Sequence, residues 1–78
     1  MVSRMEPRQR RILVAALVNA EAVRQGVSRE RLARSTRIPL VKLEAKLHGD
    51  APIDVDELEA IASALDVAVE AFLEDPRT

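Results

Sequence analysis

The sequence lacks cysteine, tryptophan and tyrosine, and it contains only one phenylalanine and one histidine. Without cysteine there is neither a disulfide nor a thiolate metal site, which favours a reducing, cytoplasmic setting. No apolar run approaches the length of a membrane span, and the first residues lack the hydrophobic segment of a signal peptide. We therefore predict a soluble cytoplasmic protein that has no contact with a membrane.

Motifs of catalysis are also missing. The sequence has no glycine-rich phosphate loop, no cysteine nucleophile and no Ser-His-Asp arrangement on a credible scaffold. We predict that the protein is not an enzyme and has no catalytic residue, no cofactor and no small-molecule substrate. The carboxylates between residues 54 and 59 suggest a metal site at first sight. Because a first helical turn favours carboxylates, we assign them a structural role and predict no metal site.

The charges divide the sequence into a basic first part and an acidic second part, although the formal net charge is only −1. Residues 1–49 contain eleven Arg and Lys against four Asp and Glu, and residues 50–78 contain one Arg against nine Asp and Glu. A basic region attracts phosphates over about 10 Å at ordinary salt. The pattern favours nucleic acid as the partner. The alternative is that the two parts only attract each other within the fold.

A long first helix is predicted from Pro7 to the residue before Gly26. Proline suits the first helical position, and nothing interrupts the pattern until this glycine. Apolar residues recur at three- and four-residue spacing and predict one apolar face, made of Ile12, Leu13, Ala16, Leu17, Ala20 and Val23.

The stretch from residue 28 to residue 49 is typical of two short helices joined by a tight turn. Ser28 can accept a hydrogen bond from a first-turn amide and so caps the first of them. Ser35 and Thr36 compete for backbone hydrogen bonds, so this helix is predicted to end near Ser35. Pro39 disfavours the α region for the residue before it, which separates the two helices.

The second of these helices is predicted to run from about Leu40 to His48. Leu43 and Leu47 lie four residues apart and form its buried stripe. Gly49 follows where helices commonly end in a left-handed conformation. The outer side of the helix then carries lysines and short apolar residues.

Two further helices are predicted in the acidic part. Asp54 and Glu57 have the spacing of a capping box, which begins a helix whose buried stripe is Leu58, Ile61, Ala62 and Leu65. A last short helix is predicted from about Ala68 to Glu74, ended by Pro76. Phe72 is expected in the core, and the alternative is that it lies in a dimer contact.

The pattern over residues 27–73 resembles the lambda-repressor-like (Cro/repressor-type) helix-turn-helix regulators, especially small actinobacterial and phage members. The matching residues are Leu32, Ala33, Ile38, Leu43, Leu47, Gly49, Val55, Asp56, Glu57, Leu58, Ile61, Ala62, Leu65, Val67 and Leu73. The resemblance implies an all-α fold, a compact five-helix lambda-repressor-like domain with a helix-turn-helix. We expect this domain over residues 7–75, a flexible arm over 1–6 and a short tail over 76–78. The starting Met and the five-helix count favour a complete protein.

The resemblance also implies a function, namely a sequence-specific DNA-binding transcriptional regulator in a bacterial cell or a phage-infected host. It implies a homodimer on double-stranded operator DNA, with the helix at about 40–48 in the major groove. Arginines and lysines would bind phosphates, and aliphatic side chains would contact thymine methyl groups. The expected DNA-binding residues are Arg29, Arg31, Arg34, Arg37, Leu40, Val41, Lys42, Lys46 and His48.

An alternative function uses the same fold as a protein-protein interaction module. Leu40 and Val41 are adjacent aliphatic residues on the helix that would otherwise read DNA. With lysines beside them, they would suit an acidic amphipathic partner.

Overall fold

A computed structural model describes residues 6–73 of the chain, and over this range the structure is all-helical, with five helices and no strand. The all-α prediction is confirmed to that extent. The helices are α1 (Pro7–Gln25), α2 (Arg29–Thr36), α3 (Leu40–Leu47), α4 (Val55–Ala64) and α5 (Glu70–Leu73). The predictions of a flexible arm before residue 6, of a tail after residue 75 and of a last-helix end at Pro76 lie outside the described residues.

The bounds of α1 follow the local signals. Pro7 is its first residue, and Gly26 ends it in the left-handed conformation with φ 71°. The backbone N–H of Gly26 donates to the carbonyls of Ala22 and Val23. Proline at the start and glycine at the end is the common asymmetry of helices, so both ends were predictable.

The predicted apolar face of α1 is wrong in part. Ile12 and Val23 are 48% and 80% exposed, and Ala16 and Ala20 are also exposed. The buried residues are instead Ala15, Val18 and Ala22, with Leu13, Val14 and Leu17 half-buried. Because residues 12–18 are all apolar, their spacing alone is compatible with several different buried faces of α1. The observed face is the one that also directs polar side chains of α1 towards α3 and α4.

The first turn of α2 is capped as predicted, since Ser28 Oγ accepts a hydrogen bond from the Arg31 N–H at 3.1 Å. The helix ends at Thr36, whose hydroxyl donates to the Leu32 carbonyl at 2.8 Å. Arg37 then adopts a left-handed conformation with φ 62°, a feature the sequence analysis missed. Left-handed conformations are uncommon outside glycine, asparagine and aspartate, so nothing in the residue type indicated it.

The signals around α4 and α5 are largely confirmed. The Glu57 N–H donates to Asp54 Oδ1 at 2.7 Å, and the Asp54 N–H donates to Glu57 Oε1 at 3.0 Å, which completes the capping box. Asp66 is left-handed with φ 57°. The helix α5 begins two residues later than predicted, at Glu70, after a turn in which the Ala71 N–H donates to the Ala68 carbonyl.

The core lies between α2 and α4 and beneath α3, and α1 packs against α3 and α5. Phe72 is 3% exposed and belongs to this core, as predicted. All four residues of the predicted α4 stripe are buried as well. The largest fully buried side chains are Leu32, Leu43, Ile61, Leu65 and Val18. In the described part of the chain, none of the helices combines the length and the apolar character that crossing a membrane requires.

Candidate functional site

The helix pair α2–α3 is joined by only three residues, 37–39. The left-handed Arg37 reverses the chain, the Ile38 side chain is 7% exposed in the core, and Pro39 precedes the first turn of α3. Leu43 and Leu47 anchor the inner side of α3 and are 0% and 4% exposed, as predicted. The orientation of α3 relative to α2 is therefore set by a short link and by core packing.

The carboxyl-terminal end of α3 is held by side chains from α1. Asn19 Nδ2 donates to the Leu47 carbonyl at 2.7 Å, and Arg11 Nε donates to the Gly49 carbonyl at 3.1 Å. The last carbonyls of a helix have no partner within the helix, so these bonds satisfy groups that would otherwise need water. Neither contact was predicted from the sequence. The available signal was Asn19, a polar residue inside the long apolar stretch of α1.

A close approach of the two backbones accompanies these bonds. Gly49 has φ 81°, and a Cβ atom built on it would lie 3.0 Å from Ile12 Cγ1 and 3.3 Å from Ile12 Cα. Gly49 therefore has two roles, because it adopts the left-handed conformation at the helix end and leaves space for α1. The sequence indicated the first role only.

The outer side of α3 is open. Val41 is 79% exposed, and Lys42 and His48 are exposed beside it. Leu40 is half-buried and packs against the margin of the core, so it does not form an exposed aliphatic pair with Val41. The outward face of α3 thus offers one aliphatic side chain, one ammonium group and one imidazole.

Five exposed cationic side chains lie on α2, on the link between α2 and α3, and on α3 itself. None of them makes an ion pair or a side-chain hydrogen bond with another residue of the described range 6–73. We call this set the cationic surface, and its members are Arg29, Arg31, Arg34, Arg37 and Lys42. Arginine and lysine without an internal partner can bind an external anion without first breaking a bond within the protein.

Arg24 on α1 shows the contrasting situation. Its guanidinium forms an ion pair with Glu21, and Gln25 Nε2 donates to the same carboxylate at 2.6 Å. The hydrogen bond from Arg24, followed by that from Gln25, holds the pKa of the Glu21 carboxyl below its ordinary value. Arg24 is thus exposed but already paired, so it serves as a control for the arginines of the cationic surface, which have no ion pair among the described residues.

Lys46, which is also among the predicted DNA-binding residues, differs from the five cations of the cationic surface because it has partners within the protein. Its Nζ lies 3.0 Å from Glu57 Oε1 and donates to the Pro52 carbonyl at 3.0 Å, and its side chain is only 14% exposed. The ammonium group thereby ties α3 to the start of α4. Lys46 lies on the side of α3 that faces the capping box, and spacing within α3 alone did not indicate this neighbour.

Acidic side chains border the cationic surface on two sides. Glu30 shares a depression between α2 and α3 with Arg34 and Arg37, and Asp56 shares a second depression with Arg37 and Lys42. Residues 28–48 carry six Arg and Lys against two Glu, whereas residues 50–73 carry seven Asp and Glu and no cation. Cations therefore outnumber carboxylates on α2 and α3, and acidic residues border them on the side of α4. The part of the chain that the structure describes contains no group of three or more side chains placed to hold a metal ion.

Comparison of the chain with protein-family models, with curated proteins and with solved structures gives no match. The function is therefore inferred from the residues and the geometry of the α2–α3 pair.

Proposed function

We propose that this protein is a DNA-binding transcriptional regulator of the lambda-repressor-like type, in which α2 and α3 form the helix-turn-helix. The observation that carries the proposal is the cationic surface, because its five exposed cations lie on α2, on α3 and on the link between them, and they make no ion pair or side-chain hydrogen bond within residues 6–73. Attraction to the phosphates supplies a large share of the affinity of a protein for DNA. It requires cations that are not already paired within the protein.

The geometry of α3 suits the major groove. An α-helix fits the width of this groove, and the eight residues of α3 span about 12 Å along its axis. The inner side of α3 is fixed by Leu43, Leu47 and the bonds from α1, so its outer side can approach base edges without rearranging the core. Because α3 is already folded and held in place, it would lose little conformational entropy on binding DNA.

The proposed contacts divide into two kinds. Arg29, Arg31, Arg34 and Arg37 would bind phosphates and set the position of the protein on the duplex. Val41 would contact a thymine methyl group, and Lys42 would reach a guanine or a phosphate. His48 lies exposed at the end of the helix, where it would add a contact to the backbone or to a base. Leu40 remains at the edge of this face and would contribute by packing rather than by a direct base contact.

A single small module offers few base contacts, so we propose that the protein binds its operator as a homodimer. Two-fold proteins bind two half-sites about one DNA turn apart and gain affinity from the second contact. Bound at a promoter, such a dimer would occlude the transcription machinery.

The interaction-module alternative has less support from the same surface. It requires adjacent exposed aliphatic residues, whereas Leu40 is half-buried and only Val41 is fully exposed. Four exposed arginines on α2 and its link to α3, with a single exposed valine on α3, suit a polyanion better than an apolar partner helix.

Reversing one charge of the cationic surface tests the proposal. Arg34→Glu should weaken binding to duplex DNA by about 10- to 100-fold, because a charge-assisted hydrogen bond of about 1.5–3 kcal/mol is lost. Fluorescence anisotropy with a labelled duplex measures the dissociation constant, and circular dichroism verifies that the variant is folded.

The matched control is Arg24→Glu, which changes the net charge by the same amount at an exposed arginine that belongs to α1 rather than to α2 or α3. Arg24 already pairs with Glu21, so this variant should bind DNA within about threefold of the unchanged protein. Equal losses for the two variants would mean that only net charge matters and would count against a defined interface.

A further inference from the structure

An apolar groove lies between the amino-terminal half of α1, the segment that leads into α4, and α5. Its volume is about 360 Å³, which falls within the range of about 300–1,000 Å³ that is usual for small-molecule sites. No residue of α2 or α3 contributes to it. We call it the α1–α4 groove, and its aliphatic lining residues are Val14, Ile53, Val55, Leu58, Val69 and Leu73.

The groove leaves aliphatic side chains in contact with water. Val55 is 71% exposed and Leu73 is 55% exposed, whereas Leu58 is 4% exposed and belongs to the core. The groove therefore extends from the surface to the core. Exposed apolar surface is unfavourable in water, and a small concave site with aliphatic walls favours a ligand that has an aliphatic chain.

Charged side chains on two sides of the groove indicate the polar end of this ligand. Helix α1 contributes Arg10 and Arg11, and α4 contributes Glu59. Arg10 already has an interaction within the chain, so no ligand contact is assigned to it. Glu59 is exposed to water, whereas Arg11 is half-buried beside the aliphatic side chains. Ionic contacts are stronger away from bulk water, so we expect an anionic group at Arg11.

Arg11 retains hydrogen-bond donors for such a group. Its Nε–H donates to the Gly49 carbonyl at 3.1 Å, and this is the only hydrogen bond or ion pair of the side chain among residues 6–73. The terminal nitrogens of a guanidinium carry further N–H donors, which form a fork that fits the oxygens of a carboxylate. Because the bond to Gly49 already orients the side chain, this fork is held in place before a ligand binds.

We propose that the α1–α4 groove binds an aliphatic monocarboxylate. Its chain lies among the aliphatic lining residues, and its carboxylate accepts hydrogen bonds from the terminal nitrogens of Arg11. Decanoate is a suitable probe, because it combines one carboxylate with a chain that buries many methylene groups. Glu59 on the α4 side repels the carboxylate and so favours the orientation in which this group faces α1.

The ligand would also act on the end of α3. The Gly49 carbonyl, which accepts from Arg11, lies just after this helix. A carboxylate that immobilises Arg11 would strengthen the hold of α1 on α3. This regulatory part rests on the proposed function, because the position of α3 then affects DNA binding. The Asp50 N–H belongs to the same peptide unit as the Gly49 carbonyl, so its nuclear magnetic resonance signal reports the link.

A titration of the unchanged protein followed by nuclear magnetic resonance tests the site. Decanoate should shift the backbone amide signals of Val14, Leu58 and Asp50, and it should leave those of Arg29 and Arg31 in place. Acetate, which has the carboxylate without the chain, should cause no such shifts at the same concentration. Shifts confined to the cationic surface would overturn the proposal, because decanoate would then bind only exposed cations.

Removing the charge from either partner tests the contact between carboxylate and guanidinium. Decanol has the same chain without the carboxylate and should bind about 10- to 100-fold more weakly than decanoate, because a charge-assisted hydrogen bond is lost. Arg11→Gln keeps an N–H donor but loses the cation, so it should weaken decanoate by a similar factor and change decanol by no more than about threefold. Isothermal titration calorimetry measures these affinities. Equal affinities of the unchanged protein for decanoate and decanol would overturn the proposal.

A second variant tests the groove independently of Arg11. Val55 is the first residue of α4, where the helix dipole favours an acidic side chain, so Val55→Glu should fold. Its carboxylate would repel the ligand and should weaken decanoate about tenfold. The matched control Val23→Glu, at an 80% exposed valine outside the groove, should leave the affinity within about twofold. Equal losses for the two variants would contradict the groove as the site.

The site and the regulator proposal fail separately. Binding of decanoate in the groove by a protein that does not bind duplex DNA would refute the regulator and leave the site standing. Salt-dependent DNA binding by a protein that binds no decanoate up to about millimolar concentration would do the reverse.

Discussion

Replacing Leu43 by alanine should lower the free energy of unfolding by about 2–5 kcal/mol. Leu43 is 0% exposed and lies on the inner side of α3, above the core shared with α2. Its truncation removes apolar contacts and leaves a cavity that the short helix α3 cannot fill by moving, because α1 holds its end. A small domain has a total stability of roughly 5–10 kcal/mol, so the variant should be close to its unfolding transition at moderate temperature.

Chemical denaturation followed by circular dichroism measures this loss, and Val41→Ala is the matched control. Val41 belongs to the same helix but is 79% exposed, so its truncation should change the free energy of unfolding by no more than about 0.5 kcal/mol. Equal effects of the two substitutions would show that α3 does not direct Leu43 into the core and Val41 outward.

The substitution Gly49→Ala should lower the free energy of unfolding by about 2–4 kcal/mol. Two costs combine at this position. The left-handed conformation with φ 81° disfavours any residue with a Cβ atom, and that atom would lie 3.0 Å from Ile12 Cγ1 and 3.3 Å from its Cα. The contact with Ile12 Cα involves backbone, so α1 and the end of α3 would have to separate.

The glycine at the end of α1 provides the control for the second cost. Gly26 is also left-handed, with φ 71°, but a Cβ atom there would meet nothing within 4 Å. Gly26→Ala should therefore show the conformational cost alone, about 1–2 kcal/mol. If thermal or chemical unfolding gave the same loss for both variants, the close approach of α1 to α3 would be refuted.

The ends of the helices could be predicted because their signals are local. A capping box needs only Asp54 and Glu57 three residues apart, and a left-handed helix end needs only a glycine such as Gly26 or Gly49. Ser28, which caps α2, and Pro7, which begins α1, are local signals of the same kind. Each of these features depends on hydrogen bonds or dihedral angles within a few residues, so no knowledge of the tertiary structure was required.

Features that depend on distant neighbours could not be predicted. Residues 12–18 are all apolar, so their spacing did not identify the buried face of α1, which depends on packing against other helices. From the sequence alone, Lys46 and Lys42 were both predicted to point outward. Only the structure shows that Lys46 contacts the Pro52 carbonyl and Glu57. The left-handed Arg37 had no signal in its residue type, and it lies at the centre of the candidate site.

The same distinction applies to the cationic surface. The sequence showed that the first part of the chain is basic, but not which cations are free. Of the predicted DNA-binding cations, the structure leaves four arginines and Lys42 exposed and without an internal ion pair in the described range, and it engages Lys46. Which atoms are already paired depends on contacts between helices.

The most direct test of the regulator proposal is the salt dependence of duplex DNA binding by the unchanged protein. Five available cations would release about 0.9 counterion each, so the logarithm of the binding constant should fall with the logarithm of salt concentration with a slope of about −4 to −5 per bound chain. Fluorescence anisotropy with a random duplex at several salt concentrations gives this slope. A flat response, or no binding even at low salt, would contradict the proposal.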